Sequence, residues 1–256
     1  GSLKPIGDEM FNGFQLYLNL NDGRFGGHPV ELISQDEGAT AESGAAAVDS
    51  LLKQQVLALT GVANSDVMLA VRDTIEKAHV PLIGSNASPA DLQGVLYIWR
   101  TSYVNSEPGA ALGGYLSRQV HGKVAMIAPD SVDGRDAIDG FRRTFGADDS
   151  RISAGVIWTE NQLTPSKGFF RPYLQQLKAT KPAAVFSAFA GPAAVAFVQQ
   201  FRAQKITVPI YAPGFLTEAP ALRELGDDAR GIYTALNYSP DLDNGANRAF
   251  TGEYRR

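Results

Sequence analysis

Two loops of small polar residues are the stretches of this sequence whose residue types could bind an anion. The first comprises residues 60–65 and ends in Asn64-Ser65, and the second comprises residues 84–92 and contains Asn86-Ala87-Ser88. Ser65 is placed to cap a helix, where its hydroxyl and the free backbone N–H groups behind it could receive a carboxylate. The simpler interpretation, which spacing alone favours, is an ordinary helix cap and a surface turn.

Three later loops occupy equivalent places after apolar runs in the second half of the chain. They are residues 128–135, which include Asp133, residues 190–192, which begin with Ala190, and residues 212–215, which end in Gly214-Phe215. Asp133 either faces a ligand or belongs to a helix start with a capping aspartate and a solvated arginine, and the sequence favours the latter. Phe215 fits an aromatic wall and a core residue equally well.

The residue patterns of the common enzyme classes are absent from the sequence. The histidines, His28, His79 and His121, lie far apart without metal-ligand spacing, and no phosphate loop, dinucleotide-binding motif or nucleophile elbow occurs. Residues 241–245 match only a fragment of a calcium loop. The absence of cysteine excludes disulfides, thiolate metal sites and thiol catalysis. We therefore expect a protein that is not an enzyme and that uses no metal or cofactor.

Composition narrows the classes of partner. The 256 residues are 44% hydrophobic and 20% charged, which is ordinary for a globular protein, and the formal net charge is -4. No basic stripe occurs, so a nucleic-acid partner is disfavoured. No apolar run reaches the length of about 18 residues that a membrane span needs.

The elements that must position these loops are short apolar strands alternating with amphipathic helices. In the first series we expect strands at residues 30–33, 56–59 and 81–83. After residues 101–105 the alternation restarts, with strands expected at residues 123–128, 152–158, 183–189 and 209–211. Such β-α-β series predict parallel sheets covered by helices. Ligands bind at the carboxyl ends of parallel strands, which is where the polar loops lie.

An ordered set of segments along the whole chain resembles the Leu/Ile/Val-binding proteins, which are type I periplasmic binding proteins of ATP-binding-cassette (ABC) importers. The segments are residues 7–13, 21–27 (Asn-Asp-Gly-Arg-Phe-Gly-Gly), 35–38, 80–83, 97–102, 180–186 and 238–243. The resemblance implies an α/β fold of two Rossmann-like lobes, joined by a multi-strand hinge around a central ligand cleft. We expect the lobes to comprise residues 1–103 plus 237–256 and residues 104–236.

Family roles transfer to this chain by position. The resemblance implies that Ser65, beside Asn64, holds the ligand carboxylate, with Asn86, Ala87 and Ser88 completing the grip. Ile6 stands where the family often places an aromatic residue, and Asp133 where many members have a tyrosine. Gly214 stands where amino-acid binders tend to have an acid facing the ligand ammonium. Asp133 could supply a replacement charge for the missing acid. With Ala190 and Phe215 as further lid residues, the pattern favours an aromatic or other non-amino carboxylate slightly over leucine-like solutes.

The resemblance also implies a biological setting. We expect a monomeric, periplasmic solute-binding component that closes on a small carboxylate by rotation at residues 101–105 and 235–238 and then meets an ABC permease at the inner membrane. A ligand-sensing receptor domain of the same fold, coupled to signalling, is the alternative. Because family members start with a further strand and continue past position 256, we also expect a longer natural protein. A chain of these residues alone would leave an apolar gap in its first sheet.

Overall fold

The computed structural model describes residues 3–152 and 154–255. The chain divides into two compact units, one formed by Leu3–Tyr103 with Asn237–Arg256 and the other by Val104–Leu236. Each unit contains a parallel sheet and the helices that follow its strands. The predicted α/β class with parallel sheets is therefore confirmed. Within the described ranges, no helix is both long and apolar enough to cross a bilayer.

The first unit is built on a three-stranded parallel sheet. Its elements up to residue 103 are α1 (Lys4–Leu20), β1 (Arg24–Phe25), β2 (His28–Pro29), α2 (Ala41–Leu52), β3 (Leu59–Gly61), α3 (Ser65–Ala70), α4 (Arg72–Ala78), β4 (Leu82–Gly84) and β5 (Ile98–Arg100). The sheet order is β3-β4-β5, and β1 and β2 form a separate antiparallel pair. Buried apolar side chains of α3, α4 and β4, among them Met68, Ile75 and Leu82, form the core on which this sheet rests.

Two of the expected strands in this unit are placed differently. The strand expected at residues 56–59 starts at Leu59, because Leu57 is 93% exposed and Gln55 takes a left-handed turn before it. The strand expected at residues 30–33 is wrong. In the described part of the chain, residues 30–33 belong to no strand, and the Val30 N–H donates to the Gly23 carbonyl oxygen beside the β1–β2 pair.

The second unit is built on a five-stranded sheet in which every pairing is parallel. Its elements are α5 (Ser106–Gln119), β6 (Val124–Pro129), α6 (Val132–Phe145), β7 (Val156–Thr159), α7 (Arg171–Ala179), β8 (Ala184–Ser187), α8 (Gly191–Ala203), β9 (Ile210–Pro213), α9 (Ala219–Leu225) and β10 (Ile232–Ala235). The sheet order is β10-β9-β8-β6-β7, with apolar clusters on both faces. Strands buried on both faces explain the uninterrupted apolar runs in the sequence.

Helices α5 and α6 approach each other through glycine. A Cβ atom added at Gly109 would lie 2.1 Å from the carbonyl oxygen of Ala137, and one at Gly113 would lie 2.2 Å from that of Phe141. On the opposing helix, a Cβ atom at Gly140 would lie 1.9 Å from a backbone carbonyl oxygen of α5. Larger residues would force the helices apart, so these glycines set the position of α6 and of the loop before it.

The chain returns to the first unit in a final helix, α10 (Gly245–Tyr254). Asn244 caps its start by accepting a hydrogen bond from the backbone N–H of Asn247. The buried Asn247 side chain donates to the carbonyl oxygens of Pro240 and Leu242 and accepts from the Tyr238 hydroxyl. Residues 238–244 are thereby folded onto the start of this helix, with a turn at residues 240–241.

Candidate functional site

The two polar loops of the first unit leave the sheet side by side. Gly61 and Gly84 are register partners at the ends of β3 and β4, so residues 62–65 and 85–88 start from the same carboxyl edge. The second loop then binds the first through three hydrogen bonds. The backbone N–H groups of Ser85 and Ala87 donate to the carbonyl oxygens of Gly61 and Val62 at 3.2 and 3.0 Å, and the Asn86 amide donates to the Ala63 carbonyl at 3.0 Å. The structure therefore brings together the loops that contain Asn64, Ser65 and residues 86–88.

The helix after the first loop is capped one residue earlier than the sequence predicts. Asn64 has extended backbone angles, and its side-chain oxygen accepts the N–H of Asp66 at 2.9 Å, so Asn64 is the N-cap of α3. The interpretation of Ser65 as the cap is wrong, because Ser65 is already the first helical residue. The side chain of Ser65 lies fully buried.

Glu37 occupies the other side of the first loop. Its carboxylate accepts the N–H of Ala63 at 3.1 and 3.2 Å and that of Asn64 at 3.1 Å. Burial raises the pKa of the Glu37 carboxyl above its usual value, although these two backbone hydrogen bonds act in the opposite direction. Two of the N–H groups next to Ser65 are thus already bound within the protein. Glu37 is not among the site residues predicted from the sequence, and its only signal there is its position in the segment 35–38.

The buried hydroxyl of Ser88 has no hydrogen-bond partner. Ser88 is 1% exposed, and its Oγ contacts no donor or acceptor in the described part of the chain. An unpaired buried hydroxyl costs about 1–3 kcal/mol, so such a group marks a place where a partner is expected. Ser187, the last residue of β8 in the second unit, is buried and unpaired in the same way. Ser187 was not predicted as a site residue because it lies within the apolar run of residues 183–190, which indicates a strand.

Ile6 is half-buried in the first turns of α1. One turn further on, the Met10 sulfur accepts the Ser85 hydroxyl at 3.2 Å, which joins α1 to the second loop. Met10 and Ser85 both line a cavity of about 810 Å³ in the first unit, whose other walls include further residues of α1, residues 32–38 and residues 60–63. Neither Ile6 nor the serines at positions 65 and 88 line it.

The predicted residues of the second unit share one edge of its sheet. Asp133 follows β6, Ala190 follows β8, and Gly214 and Phe215 follow β9. These three strands are parallel neighbours in the sheet, so their carboxyl ends point the same way. The topology therefore places all four residues at a common edge.

Asp133 is held by a contact from outside its own helix. Its Oδ1 accepts the Asn105 side-chain amide at 2.6 Å, and Asn105 is itself buried at the start of α5. The cap of α6 is Ser131, which accepts the Gly134 N–H at 3.2 Å, so the expected capping aspartate is wrong. Arg135 is not simply solvated either, because it pairs with Asp130 and lies over the Trp158 ring at 5.3 Å.

The loop after β9 leaves no room for a side chain at its first position. Gly214 is buried, and an added Cβ atom would lie 2.8 Å from Cβ of Leu236. Phe215 is half-buried and is not part of the buried core cluster of this unit. Ala190 is exposed at the N-cap of α8, where no side chain caps the helix. Among residues 3–152 and 154–255, no group of three acidic or histidine side chains could hold a metal ion.

Comparison with known proteins now identifies the family. The model of the family described as "Periplasmic binding protein" matches residues 1–256. The chain belongs to the periplasmic binding protein family. A Leu/Ile/Val-binding protein homolog from Brucella melitensis is 24% identical over 251 residues, which are 95% of this chain and 63% of that relative. The chain thus spans less than two thirds of that relative's length.

Two solved solute-binding proteins of ABC transporters have the same fold. One, from Rhodopseudomonas palustris, is a solute-binding protein in complex with benzoate, with a TM-score of 0.90 and 25% identity. The other, from Rhodopseudomonas palustris BisB5, is in complex with 3,4-dihydroxybenzoic acid, with a TM-score of 0.89 and 25% identity. Both matches cover 100% of this chain and 70% of the solved chain. The expected type I periplasmic binding protein architecture is confirmed.

Proposed function

We propose that this protein is the solute-binding component of an ABC importer and that it takes up a small carboxylate without catalysing a reaction. The observation that carries the proposal is the pair of interlocked strand-end loops, which contain buried Ser65 and the unpaired buried Ser88 hydroxyl. Hydroxyl and backbone N–H donors in a buried setting suit a single negative group. Membership of the periplasmic binding protein family supports the same role.

We further propose that the ligand is an aromatic carboxylate in preference to an α-amino acid. The relatives in complex with benzoate and 3,4-dihydroxybenzoic acid support this class. In the second unit, the space beside Gly214 is filled by the apolar side chain of Leu236. An acidic side chain that could bind an ammonium group does not fit there without displacing Leu236. Asp133, Ala190 and Phe215 are the remaining proposed contacts of that unit, with residues 101–105 and 235–238 as the hinge.

The setting that we propose is the periplasm, with an ABC permease as the protein partner and a monomer as the binding form. Family membership supports the location and the kind of partner. Size-exclusion chromatography with light scattering tests the monomer.

Isothermal titration calorimetry on the protein in its natural length tests the ligand. We expect benzoate and 3,4-dihydroxybenzoate to bind and leucine to bind at least about tenfold more weakly, which corresponds to about 1.4 kcal/mol. Ser65→Ala is expected to weaken benzoate binding, whereas Ser50→Ala, at a half-buried position of α2 outside both loops, serves as the matched control. Tight leucine binding would overturn the aromatic assignment, and unchanged affinity in Ser65→Ala would overturn the site.

A further inference from the structure

The loop before Ser65 has a backbone conformation that requires support. Val62 has a φ of +64°, in the left-handed region that β-branched residues avoid, and Gly61 before it has a φ of +106°. Such a conformation costs about 1–3 kcal/mol and persists only where surrounding contacts fix it. Residues 61–64 therefore depend on hydrogen bonds from neighbouring segments to hold their shape.

Those hydrogen bonds come from two opposite sides. The 85–87 segment binds the carbonyl oxygens of Gly61, Val62 and Ala63. The N–H groups of Ala63 and Asn64 point the other way and are both bound by Glu37. Neighbouring segments thus bind the carbonyl oxygens of the loop on one side and its N–H groups on the other. In the described part of the chain, Glu37 is the acceptor for the N–H groups of both Ala63 and Asn64.

Glu37 is itself fixed in place. The backbone turns at Gly38, which has a φ of +72°, and the Ser43 hydroxyl at the start of α2 donates to the Glu37 carbonyl oxygen at 2.8 Å. Ser43 also belongs to the capping box with Thr40 that starts α2. The carboxylate therefore extends from an anchored turn, and it links that turn to the Asn64–Ser65 loop.

We propose that Glu37 is a positioning residue for ligand binding, which holds the Asn64–Ser65 loop in its binding-competent conformation without contacting the ligand. This inference rests on the proposed function, since the loop is taken as the carboxylate site. It also assigns the Ala63 and Asn64 N–H groups to Glu37 and not to the ligand. The ligand carboxylate must then be bound by other donors, among which the Ser88 hydroxyl is unpaired.

The charged surroundings of Glu37 define the controls. Asp36 is its chain neighbour and raises the pKa of the Glu37 carboxyl further, and the exposed Asp36 side chain accepts the Gly38 N–H. The other titratable groups that line the cavity beside Glu37 lie on α1 and are Lys4, Asp8 and Tyr17, of which Lys4 and Asp8 form an ion pair. Asp36→Asn is therefore the matched control, since it removes a neighbouring carboxylate that does not bind the loop.

The first measurement is benzoate affinity at pH 7 for Glu37→Ala, Glu37→Gln and Asp36→Asn in the protein of natural length. Glu37→Ala leaves two N–H groups without acceptors, so we expect benzoate binding to weaken about tenfold. Glu37→Gln keeps one carbonyl oxygen for both N–H groups and is expected to lose less. Asp36→Asn should stay within about twofold. Wild-type affinity in Glu37→Ala, or an equal loss in Asp36→Asn, would overturn the inference.

The second measurement distinguishes this inference from the proposed function. In ligand-free protein, we expect the ¹⁵N–¹H signals of Ala63 and Asn64 to shift with pH, with a midpoint above the usual glutamate value. The titration should disappear in Glu37→Gln and remain in Asp36→Asn. Should wild type bind none of the carboxylates, the proposed function fails, and these signals alone decide whether Glu37 holds the loop. If the Ala63 and Asn64 signals titrate in the same way in wild type and in Glu37→Gln, or do not titrate at all, the positioning role is refuted even if benzoate binds.

Discussion

The glycine contact between α5 and α6 permits a sharp test with two adjacent residues. Gly113 and Gly114 are both helical residues of α5. A Cβ atom at Gly113 would lie 2.2 Å from the Phe141 carbonyl oxygen and 2.4 Å from the Thr144 hydroxyl, whereas one at Gly114 would have its nearest neighbour at 3.9 Å. Only the first substitution by alanine forces the helices apart.

The expected magnitude follows from the overlap. Nonbonded heavy atoms settle about 3.5 Å apart, so Gly113→Ala must separate the helices by roughly 1 Å. Because the obstructing atom at Gly113 is a backbone oxygen, no rotamer change relieves the clash. Overpacking of this kind costs about 1–3 kcal/mol. Both substitutions gain up to about 1 kcal/mol of helix propensity, so the difference between the two variants isolates the cost of the clash.

The assay is thermal unfolding followed by tryptophan fluorescence. The chain has 2 tryptophans, Trp99 in β5 and Trp158 in β7. Trp99 is 63% exposed, so a Trp99→Phe background leaves Trp158 as the reporter of the second unit at little structural cost. We expect Gly113→Ala to melt roughly 2–12 °C below Gly114→Ala. Equal melting temperatures would refute the close approach of the helices and, with it, the placement of Asp133 by Asn105.

Two further predictions concern electrostatics and packing in the second unit. Arg151 hydrogen-bonds to Asp149 and lowers the pKa of that carboxyl to about 2. The stabilisation by this pair is therefore complete above the unfolded pKa near 3.8 and is lost as the pH falls through about 2. Carboxyl NMR should show the Asp149 pKa rising towards 3.8 in Arg151→Gln, and an unchanged pKa would exclude the pairing. Gly214→Ala should lower the free energy of unfolding in urea by about 1–3 kcal/mol, because the new Cβ atom meets Leu236. Adding Leu236→Ala to that variant should recover at least about 1 kcal/mol of the loss. If the effects of the two substitutions simply add, the two residues do not touch.

The sequence predicted the central strands of the second unit, β6, β8 and β9, well because they are buried on both faces. The strand expected at residues 152–158 starts only at Val156, because Ser150–Ile152 form a 3-10 helix, and the exposed edge strand β10 was not predicted. Continuous apolar runs such as Val124 to Ala128 can only be central strands or buried helix segments, and their length decides for strands. The first unit was harder to predict. Residues 30–33 have the composition of a strand, but a strand also needs a hydrogen-bonded neighbour, and the described chain supplies none.

The candidate site shows a similar division. The rule that ligand loops follow parallel strands placed Ser65, Ser88, Asp133 and the loop after β9 beyond strand ends, and the structure has them there. Their contact with a ligand stays a prediction. Spacing could not show which group satisfies which donor. Glu37 reaches the Ala63 and Asn64 N–H groups across 26 and 27 positions of sequence, a contact that no local pattern encodes.

The Ser88 hydroxyl tests the central claim, that the strand-end loops of the first unit bind the ligand carboxylate. Thermal unfolding of wild type and Ser88→Ala, each with and without benzoate, measures both the stability of the ligand-free protein and the stabilisation that benzoate adds. Because the hydroxyl is buried and unpaired, ligand-free Ser88→Ala should be as stable as wild type or more stable by up to about 3 kcal/mol. Benzoate should stabilise wild type and should stabilise the variant less, as expected from about tenfold weaker binding. A variant that is destabilised without ligand, yet gains as much from benzoate as wild type does, would contradict the account.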